Sequence, residues 1–120
     1  VQYRNVTPVS KEEVYAAIDR DDPDELSLIP IRVSLTDPDL EWSQDICLGL
    51  ARHHHPQVRG NAVLSLGHLA RRFGKLDETR VLPVIESALA ESDRIVTGQA
   101  IAAADDVSHF LGWNVTGFDT

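Results

Sequence analysis

Apolar residues recur every three or four positions from Val58 onward, at Val58, Ala62, Leu66, Leu69 and Phe73, and the stretch stops at Gly74. That spacing predicts an amphipathic helix, and the glycine supplies a residue able to take the left-handed conformation that ends one. Sliding the chain by 38 residues lays "VRGNAVLSLGHLARRFG" over "VTGQAIAAADDVSHFLG". Val96, Ala100, Ala104, Val107 and Leu111 then repeat the apolar stripe, and Gly112 repeats the stop. A period in the range of 20 to 50 residues marks a repeat architecture before any single motif is weighed.

The segments around these two helices extend the pattern. In "DETRVLPVIESALAES", Asp77 reads as an N-cap, and Val81, Val84, Ile85, Ala88 and Leu89 form a buried side. Pro83 either sits in the first turn or bends the helix. In "DPDLEWSQDICLGLARH", Asp37 reads as the cap and Pro38 as the first helical residue, with Leu40, Ser43, Cys47 and Leu50 facing one way. Near the start, Ser10 and Glu13 form a capping-box pair ahead of Val14, Ala17 and Ile18. Asp22 and Pro23 open the next segment, where Ile29, Ile31, Val33 and Leu35 alternate as in a strand. A lone strand among helices lacks a ladder partner, so this segment is expected to be a helix kinked or weakened near Pro30. The expected fold class is all-α, a short α-solenoid of antiparallel helix pairs in one domain spanning 1–120. Less regular helices fill 10–35, repeat-like pairs fill 37–74 and 77–112, and an irregular tail fills 113–120.

The segment "HPQVRGNAVLSLGHLA" resembles the second helix of a HEAT repeat, matching the family pattern at His55, Pro56, Val58, Arg59, Ala62, Leu66, Gly67 and Leu69. The resemblance is strong over 55–74, fair over 37–54 and 77–112, and faint before 36. The later copy departs from it, with Arg94 in place of the proline and Thr97 in place of the arginine. The resemblance implies a helical solenoid, whose second helices commonly line a partner-binding face. The whole chain is also similar to small, acidic bacterial HEAT-like proteins, some of which are immunity proteins that block the toxins of neighbouring cells.

Charge then narrows the class of partner. The 120 residues carry 19 Asp and Glu against 11 Lys and Arg, a formal net charge of −8. Phosphate affinity rests on Lys and Arg, so this balance disfavours nucleic acid and favours a basic protein partner, or simple solubility. The charge is segregated: residues 1–51 hold eleven acids and four bases, 52–80 two and six, and 81–120 six and one. No apolar run reaches the ~20 residues of a membrane span. The single cysteine, Cys47, fits a reducing compartment, so a cytoplasmic location is expected.

His53, His54 and His55 precede Pro56. Adjacent side chains diverge and do not converge on one ion, so the cluster reads as a turn, with His55 standing where Asp93 stands one register later. No metal or other cofactor is expected. Cys47 lies on a buried stripe and reads as core. His68 and His109 differ by 41 residues, not 38, and read as unrelated surface or rim positions. No enzyme activity is expected. The residues expected to contact a partner, a cognate and basic protein toxin, form two sets. Asp37, Asp39, Glu41, Trp42 and Asp45 make one end, and Asp105, Asp106, His109 and Trp113 the other. The tryptophans suit anchor roles because they bury large area at low entropy cost; covering the ends of a solenoid is the alternative. A general scaffold or assembly factor is the second functional reading, and a metal-dependent HEAT-type enzyme the third.

Overall fold

The computed structural model describes residues 6–118, and every regular element among them is helical. In chain order these are α1 (Lys11–Arg20), α2 (Pro23–Leu26), α3 (Ile29–Thr36), α4 (Leu40–Leu50), α5 (Pro56–Phe73), α6 (Glu78–Leu89) and α7 (Arg94–Leu111).

Local sequence explains most of the boundaries. Ser10 Oγ accepts from the Glu13 N–H while the Glu13 carboxylate accepts from the Ser10 N–H, completing the capping box of α1. Asp22 caps α2 with Pro23 in its first turn. The expected kink at Pro30 is instead a break. Proline has no N–H to offer the Leu26 carbonyl four residues back, so α2 stops after one turn and α3 starts afresh with Pro30 in its own first turn. The alternation at Ile29, Ile31 and Val33 has no strand meaning. Pro30 and Ser34 are buried too, because α3 is enclosed on most sides.

The opening of α4 also differs from expectation. Asp37 still belongs to α3, its N–H bonding the Val33 carbonyl, and the chain needs two more residues to reverse direction. Asp39 is therefore the cap, accepting from the Trp42 N–H at 3.1 Å, and Pro38 precedes the helix. Asp77 caps α6, whereas Pro83 lies inside that helix, on its exposed side and beyond the first turn.

The 38-residue register is reproduced in three dimensions. Both α5 and α7 are 18 residues long, their N-caps His55 and Asp93 are 38 apart, and Gly74 and Gly112 end them with φ of 69° in each case. Asp93 accepts from the Ile95 and Val96 N–H groups, and His55 Nδ1 accepts from Gln57 N–H at 3.2 Å.

Contacts between helices reveal two layers. Along α1 and α4, Lys11 meets Asp39, Tyr15 meets Trp42 and Asp21 meets His53, so the two run side by side in the same direction. Gln44 with Asp77 and Asp45 with Arg80 continue that layer into α6. In the other layer, Asn61 meets the Ser27 carbonyl, His68 meets Ser34 and Arg72 meets the Asp37 carbonyl, which aligns α3 with α5. Asn61 with Gln99 and Arg71 with Asp106 align α5 with α7. The core lies between the layers, where Val14, Val33, Leu66, Leu69, Val81, Ile85, Val96 and Val107 are sealed from water.

One expectation about helix character is corrected. Helix α5 is not two-faced: residues 60–70 are all buried, because α3 and α7 flank it while α4 and α6 pack against it. Helix α7, on which no further helix packs among the described residues, keeps an outward face that mixes Ile95, Ile101 and Phe110 with Asp105 and His109.

Candidate partner-binding surface

The first expected set gathers at the start of α4. Asp39 holds Lys11 Nζ at 2.8 Å while capping the helix, and these two interactions, the lysine first, depress its carboxyl below the usual range. Asp37 Oδ1 accepts from the Asp39 N–H at 2.8 Å, so the pair builds the α3–α4 turn as much as it charges the surface. Trp42 is half-buried. Its indole N–H donates to the Tyr15 hydroxyl at 2.8 Å, the two rings meet edge-on at 6.2 Å, and Lys11 lies 4.9 Å from the indole centroid. Tyr15, which the sequence reading did not single out, is therefore the exposed member of an aromatic pair between α1 and α4. It lies outside the buried stripe of α1, the one signal that pointed outward.

Glu41 and Asp45 are exposed, and Asp45 pairs with Arg80 at 2.9 Å. With Asp39 they line an open groove of about 760 Å³ whose wall also includes Leu40, Phe73 and Leu76. Trp42 is not in that wall, since it turns toward α1.

The second set splits. Asp105 is exposed, but Asp106 is only 7% exposed and its carboxylate receives Arg71 Nη2 at 3.1 Å. The expectation of two adjacent acids on one solvated face is therefore corrected: neighbouring helical residues point about 100° apart, and Asp106 falls on the side that α5 covers. His109 is exposed and meets Phe110 edge-on at 4.6 Å. Asp105, His109, Trp113 and Phe118 line a second open groove of about 510 Å³ beyond the end of α7. The tail forming it is irregular yet anchored, with Val115 buried and the Thr116 N–H donating to Glu86 at 2.8 Å. Asp119 and Thr120 lie outside the described residues. Because α4 runs opposite to α5 and α7, both grooves lie toward the edge where α4 begins and α5 and α7 end.

The three histidines form the joint between α4 and α5. The His53 and His54 rings stack at 4.3 Å. His53 Nδ1 accepts from the His55 N–H while its Nε2 lies 2.6 Å from Asp21 Oδ1, which places the ring proton on Nε2 in the neutral form. Arg59 locks the joint from behind. It donates to the His53 and His54 carbonyls and forks onto Glu91 at 2.8 and 2.9 Å. Among the described residues, no three His, Cys, Asp or Glu side chains converge as metal ligands would.

His68 is corrected from the surface to the interior. It is 8% exposed, Nδ1 lies 3.3 Å from Ser34 Oγ, and burial holds its pKa below the ordinary 6.5, with Asp106 pulling the other way and Arg71 adding to the depression. Cys47 is fully buried, and desolvation pushes its thiol up to about 12.

No family model and no curated protein matches the chain. The fold is similar to that of a chain in the crystal structure of a CDI complex from Cupriavidus taiwanensis LMG 19424. The TM-score is 0.76 at 23% sequence identity, over 92% of this chain and 97% of that one. At that identity the likeness is one of fold.

Proposed function

We propose that the chain is a short HEAT-like solenoid that acts as an immunity protein, binding a cognate bacterial toxin and neutralising it. The observation that carries this reading is the fold shared, over nearly the whole of both chains, with a component of a CDI complex. CDI is read here as contact-dependent inhibition, a setting of paired toxin and immunity proteins. Support for the HEAT-like part comes from the matched lengths, caps and stops of α5 and α7 at a 38-residue offset, and from the two-layer packing.

Binding is favoured over catalysis by the condition of the available nucleophiles. A thiolate at Cys47 would have to form in the dry core, and Ser34, beside His68, is itself fully buried. The toxin is read as basic and of nuclease type, since a nuclease collects Lys and Arg for phosphate, and the −8 charge of this chain complements them. Protection of this kind would operate in the cytoplasm. Among the described residues no helix is long and apolar enough to cross a membrane.

The test is co-expression with the protein encoded by the adjacent upstream gene, which this reading expects to carry a toxin domain, together with titration of the two purified proteins. Protected growth, and association that slows as salt rises, are the expected results. Binding without protection would favour the scaffold reading. Absence of both would overturn the proposal.

A further inference from the structure

Among the described residues α7 is the outermost helix of its layer, and α5 shows what its open face is built for. Where α5 meets α7 it carries Gly60 and Gly67. A Cβ added at Gly60 would stand 3.3 Å from Gln99 Cγ and 3.4 Å from Val96 Cα, and one at Gly67 3.0 Å from Ala103 Cα. Those glycines are present because a neighbouring helix comes close. Thirty-eight residues later α7 carries Gly98 in the middle of the helix, and a Cβ there would meet nothing within 4 Å. A mid-helix glycine weakens a helix, and no contact among the described residues accounts for this one.

The residues around it continue the correspondence. Ile101 takes the register position of Val63; Val63 is 1% exposed, lining a cleft with Ala51, Val84 and Ala88, and Ile101 is 49% exposed. Asp105 takes the position of Gly67, faces solvent, and forms no ion pair among the described residues. This face runs on into the groove lined by Asp105, His109 and Trp113. It thus has the form of a helix-packing surface, a small residue beside an apolar one, with one uncompensated acid.

We propose that the outward face of α7 is where the protein partner docks, seating an apolar ridge over Gly98 and Ile101 and placing a lysine or arginine at Asp105. The inference rests on the immunity reading and gives it a location. Charge selects the occupant. The chain as a whole carries 19 acids against 11 bases and Asp105 forms no ion pair on this face among the described residues, so two copies repel one another overall, whereas a basic partner meets its complement.

The probe is the protein encoded by the adjacent upstream gene, which the immunity reading expects to be the toxin, inactivated in its catalytic residues and titrated against the wild type and against Gly98→Leu, Ile101→Arg and Asp105→Arg. Each variant should weaken Kd by about tenfold or more with an unchanged helical spectrum, as expected for residues at the centre of an interface. Glu12→Lys, an equal charge reversal on the exposed side of α1 in the other layer, should change it less than about threefold. Since Cys47 is sealed, maleimide labelling of Ile101→Cys reads the face directly, and the partner should slow it by about tenfold or more.

Folded α7 variants that bind like the wild type would overturn the placement and leave the immunity reading standing. A wild-type chain that fails to bind would overturn both. A dimer of the isolated chain that Ile101→Arg dissolves would assign the face to a second copy instead.

Discussion

At the scale of single residues, two glycines of the same repeat face carry opposite consequences. Gly67→Ala would put a methyl group 2.8 Å from Asp106 Oδ2 and 3.0 Å from the Ala103 backbone, with no flexible side chain alone to absorb it. It should cost about 1–3 kcal/mol in urea unfolding, as overpacking does. Gly98→Ala meets open space and should stabilise by about 0.5–1 kcal/mol through helix propensity alone. His68 sets a pH dependence whose sign follows from its burial. The unfolded chain takes up the proton near the ordinary value of 6.5, while the folded chain resists it. Stability from this group is therefore full above 6.5 and is lost as pH falls from there toward the depressed folded value. The urea midpoint should drop between pH 7 and pH ~5.5, and His68→Gln should flatten that segment of the curve. Were the profile unchanged by the substitution, the buried placement of His68 would be wrong.

At the scale of elements, the joints matter more than the helices they connect. Arg59, which in sequence shows only as a match to a family pattern, ties two joints together, with the His53 and His54 carbonyls on one side and Glu91 on the other. Both partners of the ion pair are less than a third exposed. Arg59→Ala should cost about 2 kcal/mol, and Arg59→Lys should recover little of it, since an ammonium cannot fork onto a carboxylate and two carbonyls at once. Full rescue by lysine would show that charge alone matters there. In α7 the same position is Thr97, whose hydroxyl donates to the Glu91 and Asp93 carbonyls. This joint is closed by short local bonds.

At the scale of the whole molecule, three parallel helices over three parallel helices leave one central element. Helix α5 touches α2, α3, α4, α6 and α7, and Leu66 is wholly buried within it. Leu66→Ala should therefore cost about 2–5 kcal/mol of a total that is roughly 5–15, and should lower the single unfolding transition without splitting it. Loss of only one part of the helical signal would mean that the layers unfold separately.

Much of this fold was legible from the chain alone, because helix periodicity, caps and stops are local. Ser10 with Glu13, Asp77, Asp93 and the paired Gly74 and Gly112 bond to residues a few positions away, and the 38-residue offset follows from comparing the chain with itself. What depends on neighbours distant in sequence was not. Only packing decided that Asp106 and His68 turn inward, that Asp37 closes α3 and does not open α4, and that residues 60–70 are enclosed all round. The same holds for the surface. The chain alone assigned Asp105 and Asp106 to one patch, and the tertiary structure separated them, since α5 covers one side of α7 and leaves the other to water.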